Sequence, residues 1–191
     1  MHRKPLLDLL ERYLARYPDE RVSVDHMRQF VRANPDCFLR SCVDGHITAS
    51  AWIVSHDHAS FLLTHHTKLA RWLQLGGHAD GDADLAAVAL REAREESGLH
   101  AFALASFDGA SLPLDVDVHL IPARSDEPAH LHHDVRYLLV AGRDQALRIS
   151  NESLDLRWFP RSRADELLED ESLRRMARKV ERLLGAGAHP S

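Results

Sequence analysis

From Asp84 to Ser97 apolar residues recur at helical spacing, and the run ends at Gly98, a residue suited to stopping a helix. Leu85, Val88 and Ala89 form one stripe of that helix. Extended toward the C-terminus, the stripe takes in Glu92, Glu95 and Glu96, spaced i, i+3 and i+4. A solvated Glu/Arg face would place its acids opposite the apolar stripe, as Arg94 is placed here. These carboxylates instead continue the side that packs inward. Two charges about 4 Å apart interact by roughly 4 kcal/mol at an effective dielectric near 20. Three partly buried acids therefore call for a counter-charge, and hard oxygen donors suit Mg²⁺ or Mn²⁺.

The rest of the chain supplies elements for this helix to pack on. Pro5–Arg16 carries Leu6, Leu9, Leu10, Tyr13 and Leu14 at helical spacing, and a second helix is expected over Val24–Ala33, ended by Asn34-Pro35. Residues 1–36 thus read as an N-terminal helical extension that caps the core or forms a homodimer contact. Cys37–Cys42 and His46–Ser55, flanking Val43-Asp44-Gly45, read as a hairpin. Further strands are expected at Phe61–Thr64, Trp72–Leu75, Leu114–Pro122, Val135–Val140 and Leu156–Phe159, then one or two helices over Arg161–Leu184. In the strand near 116, Val116, Val118 and Leu120 alternate with Asp115, Asp117 and His119, the pattern of a half-buried strand. Strands, a central helix, more strands and terminal helices predict an α/β fold, an α/β/α sandwich over a mixed sheet spanning 37–184, with a loose tail at 185–191.

Composition narrows the function classes. A net charge of −5 without a basic stripe argues against a nucleic-acid-binding surface. No run of eighteen apolar residues predicts a membrane span, and Asp8 and Glu11 break the first apolar stretch, so a cytoplasmic protein is expected. Cys37 and Cys42 fit neither a disulfide framework nor a zinc knuckle.

The segment Gly76-Gly77 through Leu99 resembles the Nudix box. That pattern is Gly, five residues, Glu, seven residues, Arg-Glu, an aliphatic residue, any residue, Glu-Glu, any residue, Gly, aliphatic. Gly77 takes the first position, and Arg91-Glu92-Ala93-Arg94-Glu95-Glu96-Ser97-Gly98-Leu99 fills the second half. Two departures stand out. Ala93 is small for the aliphatic position, and the first glutamate of the pattern is replaced by Ala83, with Asp80, Asp82 and Asp84 around it. One of these aspartates stands in through water, or they cap the helix and complement its dipole.

The resemblance implies a Nudix-type fold and a divalent-metal-dependent hydrolase. Its substrate is a nucleoside diphosphate derivative or nucleoside triphosphate, cut at a phosphoanhydride bond. It implies Glu95 and Glu96 as principal metal ligands and Glu92 as a further ligand or an activator of water. Arg91 orients a glutamate, and a backbone carbonyl at Gly76 or Gly77 also coordinates the ion. A base often comes from a loop outside the box, and Glu152 is the candidate. Trp72, His78 and His132 are the candidate substrate contacts. Two other readings stay open: a ligand-sensing module that kept the fold and lost activity, to which Ala83 gives weight, and an isopentenyl diphosphate isomerase. The isomerases depend on a cysteine within their own active-site motif, which this chain does not match.

The remaining histidines, among fourteen, form no His-Glu-x-x-His and have no cysteine at ligand spacing, so no zinc centre is expected. His132 and His133 are read as preceding a strand, on opposite faces and unable to chelate one ion together. Asp80-Gly-Asp82-Ala-Asp84 fails as a calcium loop because Leu85 and Arg91 occupy its glycine and glutamate positions. Gly76-Gly77 is followed by no Gly-Lys-Ser/Thr, so it is no P-loop.

Overall fold

The computed structural model describes residues 2–67, 69–106, 111–123, 128–143, 145–150 and 153–186. Among these the helices are α1 (Lys4–Arg16), α2 (Arg21–Ala33), α3 (Leu85–Ser97), α4 (Ala164–Leu167) and α5 (Glu171–Ala186). The strands are β1 (Gly45–Val54), β2 (Ser60–His66), β3 (Arg71–Leu73), β4 (Leu75–His78), β5 (Phe102–Leu104), β6 (Asp115–Ile121), β7 (His130–Ala141) and β8 (Ser153–Pro160). They join in one sheet with the path β3-β2-β1-β7-β5, to which β4 adds on β1, β6 on β7 and β8 on β2. No helix among the described residues is long and apolar enough to cross a membrane. The chain divides into two compact units.

The first unit comprises Met1–Ser50, Gly76–Ala89 and Ser106–Tyr137. Its helices bury the stripes their periodicity dictates: Leu6, Leu10, Tyr13 and Leu14 on α1, and Val24, Met27, Phe30 and Val31 on α2. Helix α2 packs on both α1 and β6. Phe30 stacks on His133 of β7, with ring centroids 3.8 Å apart and planes 8° from parallel.

The hairpin expected at Cys37–Cys42 is absent, and that stretch is a series of tight turns. The amides of Cys37, Leu39 and Cys42 donate to the carbonyls of Asn34, Asp36 and Leu39, each three residues upstream, and bonds of this kind coil the chain instead of extending it into a ladder. Both cysteines are buried free thiols, and burial pushes that of Cys37 up to about 11.

Strand β6 departs in part from the one-sided pattern expected of it, for Val116 is buried as the alternation requires but its neighbours at the two ends are not placed by hydrophobicity. Leu120 is 62% exposed, whereas Asp115 is fully buried. The reason lies across the strand pair, where Asp115 sits opposite Arg136 and Asp117 opposite Asp134. The buried Arg136 guanidinium donates through Nε to Asp134 (2.8 Å), through Nη1 to Asp115 (3.2 Å) and through Nη2 to Asp117 (2.9 Å). Asp134 also accepts from Thr48 Oγ1 at 2.9 Å and Ser50 Oγ at 2.8 Å. The three carboxylates hold the Arg136 pKa above its ordinary value against the opposing effect of burial, which is the largest single influence on it. Satisfied charge, not exposure, places these polar side chains.

The second unit comprises Ala51–Leu75, Leu90–Ala105 and Leu138–Ser191. Ala51, Ile53, Leu62, Leu75, Ala93 and Leu99 are among its buried core, with Trp158 packed against it. Trp52 is buried and stacks on Phe61 at 4.9 Å, the core role its size favours. The hairpin here is β1–β2, with Val54 opposite Phe61. Strand β2 also pairs along its length with β8, from Ser60 opposite Pro160 to His66 opposite Ser153. The run Trp72–Leu75 is not one strand, since β3 ends at Leu73 and β4 begins at Leu75.

Candidate active site

Helix α3 is set at both ends by local chemistry. Asp84 Oδ1 accepts the amide of Ala87 at 3.1 Å, the bond an N-cap residue makes, and Asp82 Oδ1 accepts the amide of Asp84 at 2.9 Å. Asp80 lies at φ 50° and receives Nε and Nη2 of Arg40 at 2.6 and 2.8 Å. The three aspartates around Ala83 thus each have a structural task. At the other end Gly98 adopts φ 70°, its amide donates to Arg94 O at 2.9 Å, and Arg148 N donates to Ser97 O at 2.7 Å.

Successive residues turn about 100° around a helix, so Glu92 and Glu96 lie about 40° apart while Glu95 is about 100° from Glu96. Burial follows these angles. Glu96 is 8% exposed, and the Glu92 side chain is 14% exposed. The Glu95 side chain is 60% exposed, on the flank it shares with Arg91 rather than fully inward. Arg91 Nη1 lies 2.8 Å from Glu92 Oε1 and 3.7 Å from Glu95 Oε2. The guanidinium therefore holds the first acid by a charge-assisted bond and reaches toward the second. Three carboxylates on neighbouring turns of one helix offer hard oxygen donors, the chemistry that suits Mg²⁺ or Mn²⁺.

Gly76 and Gly77 lie in β4, half-buried. A Cβ at Gly76 would stand 2.3 Å from Ser50 Cβ and 2.7 Å from the Ala49 carbonyl oxygen, closer than atoms can approach. Gly76→Ala is expected to push β4 away from β1 and cost roughly 1–3 kcal/mol, an overpacking effect read as a lowered denaturation midpoint. A wild-type midpoint would contradict this account of the glycine.

The other expected site residues fall in three places. Trp72 is half-buried, 5.1 Å from the His65 ring and 4.9 Å edge-on from Phe159, with the Arg157 guanidinium 5.6 Å over its face. Glu152 lies outside the described residues. His78 and His132 meet in the first unit, rings 5.0 Å apart, and His46 joins them at 4.7 and 4.9 Å.

His132 does not precede a strand but lies within β7. It shares a face with His130, and His133 points the opposite way, toward Phe30, as alternation requires. Burial lowers the His132 pKa to about 2 and that of His78 to about 4, with neighbouring histidines adding to both shifts and Arg40 to that of His78. Both are neutral near pH 7. His46 was missed from sequence because it stands alone there; the only signal was the alternate pair His130 and His132. His132 and His133 do lie on opposite faces, as expected, and strand pairing, not sequence spacing, gathers His46, His130 and His132.

Residues 45–180 match the NUDIX domain family model. No curated protein matches the sequence. Among solved structures, a NUDIX-family hydrolase from Clostridium perfringens is 23% identical, with TM-score 0.55 over 72% of this chain and 97% of its own. The Ap4A hydrolase of C. elegans, in a binary complex, is 16% identical, with TM-score 0.58 over 73% of this chain and 98% of its own. The E. coli dihydroneopterin triphosphate pyrophosphohydrolase is 14% identical, with TM-score 0.54 over 74% of this chain and 96% of its own. These likenesses bear out the α/β fold over a mixed sheet expected from the sequence. With the family model spanning most of its length, the chain belongs to the NUDIX family, and a Nudix-type pyrophosphohydrolase is the enzyme class that membership gives it.

Proposed function

We propose that the chain hydrolyses a phosphoanhydride bond in a nucleotide-like diphosphate, a nucleoside diphosphate derivative or a nucleoside triphosphate, with Mg²⁺ or Mn²⁺. The observation that carries this is the set Arg91, Glu92, Glu95 and Glu96 on α3, with Glu92 and Glu96 turned inward and Arg91 bonded to Glu92. An Ap4A hydrolase and a dihydroneopterin triphosphate pyrophosphohydrolase are among the similar structures, which supports a phosphoanhydride substrate class.

In this reading Glu95 and Glu96 are the principal ligands, and a carbonyl at Gly76 or Gly77 adds another. A bound divalent ion neutralises diphosphate oxygens and lowers the pKa of water. Arg91 keeps Glu92 in one orientation, so its carboxylate serves as a further ligand or accepts the proton of water. The water oxygen bonds to phosphorus as the bridging P–O bond breaks, and the proton passes to the carboxylate acting as base. Glu152 is the proposed base from outside the box. The isomerase reading is disfavoured because both cysteines are buried, with Cys37 held protonated well above neutrality. Trp72, His78 and His132 are the proposed substrate contacts. A cytoplasmic setting and a homodimer complete the reading, with residues 1–36 serving as a cap on the core or as the dimer contact.

One observation favours a second reading, a ligand-binding module: Ala83 replaces a box glutamate, and Asp80, Asp82 and Asp84 already serve local structure. Incubation with Mg²⁺ and a panel of nucleoside triphosphates, nucleotide sugars, dinucleoside polyphosphates and CDP-alcohols separates the two. Release of phosphate through a coupled phosphatase, abolished by EDTA, is expected for at least one member. Binding without turnover throughout the panel would favour the module.

A further inference from the structure

The histidine cluster of the first unit uses none of the α3 carboxylates and has a chemistry of its own. His46 opens β1, and His130 and His132 share one face of the neighbouring strand β7. We propose that His46, His130 and His132 bind a divalent transition-metal ion of the zinc class, each through one imidazole nitrogen.

Three observations carry this. The ligating nitrogens all lie within 4.8 Å of one another, and two of the three rings are buried. Tetrahedral zinc with Zn–N near 2.0–2.1 Å sets nitrogens about 3.3 Å apart, so the widest pair closes by roughly 1.5 Å through side-chain torsions. Second, His130 Nδ1 lies 2.9 Å from the Pro128 carbonyl oxygen. A carbonyl can only accept, so Nδ1 carries the hydrogen and Nε2 presents its lone pair, the arrangement that fixes metal-ligating histidines. Third, His132 Nε2 is buried with no hydrogen-bond partner among the described residues.

Acids lie farther along the same strand pair, where Asp115 and Asp117 of β6 and Asp134 of β7 gather around the single guanidinium of Arg136. Asp117 also lies 3.1 Å from His119 Nδ1, and the His119 ring is 5.5 Å from that of His132. An all-imidazole donor set selects zinc-like ions over Mg²⁺, which prefers oxygen. Three protein ligands leave a fourth position for water or an anionic oxygen. The His78 ring lies beside the cluster, 4.7 Å from His46 and 5.0 Å from His132.

The test is metal content of untagged protein, stripped with EDTA, then equilibrated with Zn²⁺ or Co²⁺ under excess Mg²⁺ and freed of loose ions. One equivalent per chain is expected, with visible Co²⁺ absorption. His132→Ala should lose it, whereas His26→Ala and Glu96→Gln should retain it. X-ray absorption of the wild-type zinc form should show an imidazole shell, which keeps the test decisive if His132→Ala misfolds. No retained metal would overturn the proposal. So would an oxygen-only shell, or an equivalent lost in Glu96→Gln but kept in His132→Ala. Metal content is independent of turnover, so this result stands apart from the fate of the hydrolase reading.

Discussion

Glu96→Gln is expected to lower kcat by on the order of 10²–10³-fold, the scale of losing one preorganised electrostatic contact in a water-excluded site. The side chain is buried near Glu92 on the inward face of α3. Glutamine keeps its volume but neither donates a full negative charge to a metal ion nor repels the neighbouring acid. Stability without metal should therefore hold or rise, while stabilisation by Mg²⁺ should fall. Stopped assays and thermal denaturation with and without Mg²⁺ read both effects. Retained turnover in this variant would remove Glu96 from the site.

Arg136→Met carries the largest expected loss of stability. Three carboxylates bond to this one buried guanidinium, and removing it strands them away from solvent. Breaking a buried pair by deleting one partner costs roughly 3–5 kcal/mol, lowering Tm by about 10 °C in a chain of this size. Adding Asp115→Asn should recover part of the loss, since one stranded charge is then gone. A loss under about 1 kcal/mol would mean that water reaches these carboxylates and screens them.

The same cluster shows where sequence reading stops. Alternation along residues 115–120 marks a strand and the burial of Val116 correctly, yet misses the burial of Asp115, because the partner that allows it is Arg136 on another strand. Periodicity measures hydrophobicity, and a paired charge is hidden from it. Helix α3 was legible almost to the residue, since its apolar stripe, its Asp84 cap and its Gly98 stop are all local signals. The box acids were legible for the same reason, although Glu95 proved more exposed than a simple stripe suggests. The turns at Cys37–Cys42 imitate a strand because buried Cys37, Phe38 and Cys42 point inward from tight turns. The histidine cluster depends on β1 lying beside β7, a long-range pairing with no local mark.

The central claim is cleavage within a phosphoanhydride, and ³¹P NMR of the products tests it most directly. With Mg²⁺ and the panel member showing phosphate release, the substrate's anhydride resonances should give way to those of phosphate monoesters or pyrophosphate, in stoichiometric pairs. Disappearance of substrate with its anhydride resonances intact, or no change in any member under Mg²⁺ or Mn²⁺, would contradict the account.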